Sequence, residues 1–172
     1  MVILATISMT LSVCVFIAPF LSPSGSFLDL DGTVGVMDHS GLWSEQDPFT
    51  CAIYSLGDIL CHQEEARTIV LNGSEMPVCI RDVGLLLGLM IGSLICLTER
   101  GEALISRFGV IHIIVSFTLI FIDWLIQHTF DLNVPSARLA TGLLAGAGFA
   151  FLVDIWLTRT FDEKGERQGQ RP

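Results

Sequence analysis

Long uncharged apolar runs are the feature that most constrains the fold of this chain. The first run covers Val2–Leu21, and no charged side chain occurs before Asp29. A helix of about 20 apolar residues crosses the roughly 30 Å hydrocarbon core of a bilayer and satisfies its own backbone hydrogen bonds. Three further apolar runs follow, at about residues 83–98, 108–127 and 139–157, and the last two are interrupted only by Asp123 and Asp154. Together these runs predict four transmembrane helices.

The composition argues against other classes of protein. Of the 172 residues, 51% are hydrophobic and 16% are charged, whereas a soluble domain has about 25% charged residues. The apolar content also excludes a disordered chain. The predicted fold is all-α, with a single polytopic membrane domain over residues 1–158 and a polar cytoplasmic tail over 159–172. We expect the first run to be a retained span, because it lacks the positive start and small-residue cleavage site of a signal peptide.

Charge placement predicts how the bundle is oriented. The loop over residues 22–82 carries ten acidic residues and two arginines, whereas the 99–107 connection and the tail carry six of the nine basic residues. Basic residues collect on the cytoplasmic side, so both termini are predicted to be cytoplasmic in a multi-pass protein of the cell membrane. The net charge of −9 argues against nucleic-acid binding. The expected partner is the lipid bilayer, and a homo-oligomer or an accessory role in a membrane complex stays open.

The outer loop is predicted to carry a short helix and a β-hairpin. Asp47-Pro48 is an N-cap followed by proline at the first helical position, and apolar residues recur at helical spacing over 49–63. Asn72-Gly73 is a tight-turn pair between two short extended stretches. The hairpin should bring Cys61-His62 back toward Cys79, at the head of the second span.

Glycines four residues apart predict how the spans associate. The second span reads Gly84-x-x-x-Gly88-x-x-x-Gly92, and the fourth carries Gly142-x-x-x-Gly146. Small residues at this spacing form grooves in which neighbouring helix backbones approach closely. We expect these grooves to serve packing within the bundle rather than a pore.

Several separated polar motifs make the chain resemble a known family. In chain order they are Cys61-His62-Gln63, Arg67, Pro77-x-Cys79-x-Arg81, Asp123-x-x-x-Gln127 and Arg138-x-x-Thr141-Gly142. The pattern covers about residues 55–146 and resembles the small multi-pass membrane proteins grouped as domain-of-unknown-function family 2085. The resemblance implies a membrane fold and supplies no activity. That family commonly has a second cysteine where this chain has Asp82.

The predicted topology brings the motif residues to one outer membrane boundary. Asp123 and Gln127 lie one helical turn apart at the outer end of the third span, and Arg138 opens the fourth span from the same side. Polar groups at such depth usually face partners or a cavity. We therefore predict one polar site, held by pairing of Asp123 with Arg81 or Arg138. Its ligand-binding or structural residues are Gln63, Arg67, Arg81, Asp123, Gln127, Arg138 and Thr141.

Two hypotheses concern the cysteines of this site. Cys61, His62, Cys79 and Asp82 supply thiolates, an imidazole and a carboxylate, which Zn²⁺ accepts, so zinc is the candidate cofactor. Alternatively, a Cys61–Cys79 disulfide closes the hairpin in an oxidising exterior. A thiol redox enzyme is disfavoured, because the chain lacks a Cys-x-x-Cys pair.

The sequence does not name a reaction. The favoured hypothesis is a structural or ligand- or metal-binding membrane module. One alternative is a membrane enzyme that uses a thiol or a bound metal on a membrane-borne substrate. The other is a small transporter subunit, since Asp123 and Asp154 lie inside predicted spans, where acidic groups can handle ions or protons.

Overall fold

A computed structural model of the chain describes residues 1–62, 65–130 and 132–169. A 3-10 turn, Glu65–Arg67, leads into an antiparallel hairpin of strands β1 (Thr68–Leu71) and β2 (Ser74–Cys79). The rest of the described secondary structure is helical. The helices are α1 (Val2–Leu21), α2 (Ser40–Ser44), α3 (Pro48–Leu60), α4 (Ile80–Cys96), α5 (Glu99–Thr129) and α6 (Pro135–Gly169).

Three of the described helices are long and apolar enough to cross a membrane. They are α1, the Ala103–Thr129 part of α5 and the Pro135–Thr160 part of α6. Helix α4, the second predicted span, has 17 residues, which is at the lower limit of about 17 for a crossing helix. Four spans are therefore not confirmed, and the crossing of α4 stays a prediction.

Helices α4 and α6 pack backbone against backbone through their glycines. A Cβ atom at Gly88 would overlap the carbonyl group of Leu143, and one at Gly142 would overlap the carbonyl oxygen of Arg81. At Gly92, an added Cβ would lie 2.8 Å from the Cα of Ala147. The predicted packing within the bundle is confirmed. Since α1 contacts α4 and α5 contacts α6, the α4–α6 pair is the centre of the helix assembly.

Between α1 and α4, residues 22–62 and 65–79 form what we call the loop layer, which encloses an aromatic core. Phe27, Trp43 and Tyr54 are buried and in ring contact, with centroids 4.3 to 5.5 Å apart. The Tyr54 hydroxyl donates to the carbonyl oxygen of Glu75 at 2.7 Å. Burial raises the pKa of Tyr54, and the charge of Glu75 adds to the rise, so the hydroxyl is a neutral donor that ties α3 to β2.

Two aspartates fix the short helices of the loop layer. Asp47 caps α3 as predicted, accepting from the backbone N–H groups of Phe49 at 3.0 Å and Thr50 at 3.2 Å. The hydrogen bonds with Thr50 lower the pKa of Asp47. Asp58, fully buried on α3, accepts from the indole N–H of Trp43 at 2.9 Å and thereby holds α2 against α3. The loop before α3 thus contains one short helix, α2. This packing sets where α3 ends and where Cys61 lies.

Candidate functional site

A hydrogen-bonded group joins α4, α5 and α6 at the end nearest the loop layer. We call Arg81, Asp123, Gln127, Arg138 and Thr141 the polar network. Arg81 Nη2 lies 2.8 Å from Asp123 Oδ2, so the ion pair uses the first of the two predicted partners. Gln127 Nε2 donates to Asp123 Oδ1, and Arg138 Nε donates to Gln127 Oε1 at 2.5 Å. Thr141 Oγ1 lies 3.3 Å from Asp123 Oδ2 and 2.8 Å from the backbone carbonyl oxygen of Ala137, so its single proton is shared between these acceptors.

The two arginines of the network lie where a helix disfavours positive charge. Arg81 is the second residue of α4, and Arg138 is in the first turn of α6. The macrodipole makes a helix N-terminus unfavourable for cations and favourable for anions. Both side chains are nevertheless largely buried, and Asp123 is the one carboxylate that the described residues place in contact with them. Arg81 Nε is buried, and no described residue accepts a hydrogen bond from it.

A cavity of about 340 Å³ adjoins the polar network, and we call it the arginine cavity. Trp124 and His128 form one wall and stack with their rings 5.4 Å apart and nearly parallel. No acidic residue is among the described residues that line this cavity. The lining residues are His62, Arg67, Arg81, Trp124, Gln127, His128 and Arg138.

Trp124 and His128 are site residues that the motifs did not single out. The signal that could have found them is their position on α5. Trp124 follows Asp123 directly, and His128 comes one helical turn later, next to Gln127. A residue beside the network on the same turn of a helix is a neighbour in space whether or not it belongs to a motif.

A second group, which we call the thiol cluster, consists of Cys61, Cys79 and Asp82. Their ligand atoms all lie within 4.8 Å of one another. Cys61 caps the C-terminus of α3, Cys79 ends β2, and Asp82 is in the first turn of α4. The Cys79 thiol donates to Asp82 Oδ2 at 3.1 Å, and the Cys79 backbone N–H donates to Cys61 Sγ at 3.2 Å. The hydrogen bond with the Cys61 side chain lowers the pKa of the Cys79 thiol.

The structure does not bring all predicted metal ligands together. His62 is exposed, with its Nδ1 atom 3.1 Å from the carbonyl oxygen of Gly32, and it lies outside the thiol cluster. Gln63 lies outside the described residues. Arg67 lines the arginine cavity.

The thiol cluster and the arginine cavity are adjacent. A smaller cavity of about 180 Å³ is lined by all three residues of the thiol cluster. His62, Arg67, Arg81 and Arg138 line both cavities. The motif residues that the structure describes therefore meet in one region, at the junction of the loop layer with α4, α5 and α6.

Comparison of the sequence with known protein families shows which of these residues lie in a family's matched range. A family model described as predicted membrane protein (DUF2085) matches residues 61–152. The chain belongs to this family. The matched range includes the thiol cluster, the polar network and the α4–α6 contact, whereas α1 and most of the loop layer precede it. No curated protein and no solved structure matches the chain. This DUF2085 protein is a membrane protein, and α1, α5 and α6 expose large apolar side chains along lengths that can cross a bilayer.

Proposed function

We propose that this DUF2085 protein spans the membrane four times and binds an anionic group in the arginine cavity, at the outer boundary of the bilayer. One observation carries the proposal. Arg67, Arg81 and Arg138 line a single cavity. Guanidinium groups bind carboxylate and phosphate oxygens through paired hydrogen bonds.

In this proposal α4 crosses the membrane in addition to α1, α5 and α6. It packs on α6 through glycines and also contacts α1, so two long apolar helices flank it. Small residues that allow close backbone approach are typical of helix pairs within lipid. Four spans place both termini on one side, together with six of the nine basic residues. That arrangement agrees with cytoplasmic termini and an outward loop layer.

The polar network prepares two guanidinium groups for an anion. Asp123 Oδ2 holds Arg81 Nη2 at 2.8 Å, and Gln127 Oε1 accepts a hydrogen bond from Arg138 Nε at 2.5 Å. Fixed donors lose less conformational entropy on binding than free side chains do. The N-termini of α4 and α6 lie at the same end of the bundle and add a favourable field for negative charge. The network thus serves as a positioning device for the arginine cavity.

The size of the cavity indicates a small anion or a lipid headgroup. Its volume of about 340 Å³ is near the lower end of the roughly 300–1,000 Å³ seen for ligand pockets. A phosphate group, free or carried by a lipid, has the charge and the oxygen geometry that arginine forks match.

Titration of the purified full-length protein in detergent tests the proposal. Inorganic phosphate and phosphatidylglycerol are the two probes, and binding is measured by calorimetry and by the shift in melting temperature. Charge-assisted hydrogen bonds contribute about 1.5–3 kcal/mol, so Arg138→Gln should weaken binding by roughly tenfold to 100-fold. The exposed Arg100 is a matched control, and Arg100→Gln should bind as the unmodified protein does. Equal affinity of both variants, or no saturable binding of either probe, would overturn the proposal.

A further inference from the structure

We propose that the thiol cluster is a binding site for a divalent cation of the Zn²⁺ class. Cys61, Cys79 and Asp82 supply three ligand atoms, all within 4.8 Å of one another. Three different elements deliver them, namely the end of α3, the end of β2 and the first turn of α4. The inference is independent of the proposed anion binding, because it rests on different side chains.

The spacing of the ligand atoms suits a tetrahedral ion. Zn–S and Zn–O bonds of about 2.3 and 2.1 Å place neighbouring ligand atoms roughly 3.4–3.8 Å apart. Cys79 Sγ and Asp82 Oδ2 are already 3.1 Å apart. Small side-chain rotations therefore bring all three atoms to bonding distance. The proton that now joins Cys79 to Asp82 and the thiol proton of Cys61 would both leave to solvent as the ion binds.

The backbone around the thiol cluster supports such a site. The Cys79 N–H donates to Cys61 Sγ at 3.2 Å, and hydrogen bonds of this kind orient a ligand and tune its charge. Cys61 is 5% exposed, so its sulfur is fixed by packing. The ligands are held before any ion arrives, which favours a defined geometry over an adventitious one.

The surrounding charges also favour a metal complex. Two thiolates, one carboxylate and a divalent ion have a net charge of −1, and Arg81 and Arg138 line the cavity that the three ligands line. Thiolate ligands select Zn²⁺-like ions over Mg²⁺ and Ca²⁺, which prefer oxygen. Three protein ligands leave a fourth coordination position, which water or an anion takes in open zinc sites.

Cobalt(II) titration of the reduced, full-length protein in detergent tests the inference. Co²⁺ bound to thiolates gives a sulfur-to-metal charge-transfer absorption, which reports the ligand type directly. We expect a stoichiometric band that Zn²⁺ displaces. Cys79→Ser should weaken Co²⁺ binding by roughly 100-fold or more, since even indirect supporting residues contribute 10- to 100-fold. Cys51→Ser is the matched control, because Cys51 is a half-buried cysteine of α3 outside the thiol cluster, and it should leave the band unchanged.

A second variant keeps the inference testable if Cys79→Ser fails to fold. Asp82→Cys adds a third thiolate and should increase the charge-transfer intensity per bound ion while the protein stays folded. Three results would overturn the inference. They are absence of the band in the unmodified protein, equal binding by Cys79→Ser and Cys51→Ser, and a quantitative Cys61–Cys79 disulfide in protein purified without reductant.

Discussion

The loop layer and the α4–α6 pair are both densely packed, but with opposite kinds of residue. The loop layer buries its largest side chains, including Phe27, Trp43 and Tyr54, at 1% exposure or less. The helix pair instead brings glycines against the facing backbone, as at Gly88 and Gly142. Aromatic rings fill the core of the loop layer, whereas α4 and α6 approach closely because their facing glycines have no side chains.

The difference agrees with the proposed placement of the loop layer in water and of the α4–α6 pair in lipid. In water, burying aromatic surface is itself the driving force. In lipid that force is missing between helices, and close backbone packing together with interhelical hydrogen bonds takes its place. Large apolar residues of the helices accordingly point outward, as Ile111 and Ile114 of α5 do at about 60% exposure. Removal of an aromatic ring should therefore cost more in the loop layer than on the exposed side of the helices.

Removal of an aromatic ring from the loop layer should have the largest effect. Trp43→Ala leaves a cavity in the core and removes the indole N–H that donates a hydrogen bond to the buried Asp58. We expect a loss of about 3–5 kcal/mol in the free energy of unfolding, measured by denaturant titration in detergent. Trp156→Ala, at a residue 64% exposed on α6, should cost much less. Similar losses for the two variants would break the distinction between the regions.

Loss of the central ion pair should rank second. Asp123→Ala leaves the largely buried Arg81 without its carboxylate, and removal of one partner of a buried pair costs about 3–5 kcal/mol. Because Arg81 is 17% exposed, we expect a value near 3 kcal/mol. Asp123→Asn keeps one of the two acceptor oxygens and should lose less. A stability equal to that of the unmodified protein would show that the polar network does not hold α4 to α5.

Addition of one methyl group to the helix pair should come third. In Gly88→Ala the new Cβ meets the backbone of Leu143, so the helices must move apart. Overpacking of this kind costs about 1–3 kcal/mol, measured by the same titration. Gly41 of α2 has open space around it, and Gly41→Ala should be neutral or stabilising by up to about 1 kcal/mol. A loss at Gly41 as large as that at Gly88 would contradict the close approach of α4 and α6.

Local signals in the sequence predicted the parts of the fold that depend on a few adjacent residues. The cap at Asp47 and the turn at Asn72-Gly73 act within their own segments, and α3 and the hairpin both form around them. The choice between Arg81 and Arg138 as partner of Asp123 was not predictable. It depends on how α4 and α6 rotate about their glycine contact, a property of two helices together rather than of either sequence.

Contacts between distant residues explain what the sequence pattern missed. Helix α2 has no periodic signal, and it is held by the bond from Trp43 to Asp58 on another helix. The thiol cluster forms without His62 because adjacent side chains at the end of α3 point in different directions. Membrane crossing by α4 and the orientation of the termini stay predictions, since they concern the lipid environment.

The smallest expected effect concerns the contact between the loop layer and α1, the helix that packs against α4. The Asn72 side chain donates to the carbonyl oxygens of Pro19 at 3.0 Å and Ser22 at 3.3 Å, which attaches the hairpin turn to the end of α1. Asn72 has a φ of 53°, which glycine also adopts readily, so Asn72→Gly removes the hydrogen bonds without backbone strain. We expect a loss of about 1 kcal/mol in the free energy of unfolding. Asn72→Ala should lose more, because a Cβ adds strain at positive φ. An unchanged free energy of unfolding for Asn72→Gly would mean that apolar contacts alone join the loop layer to α1.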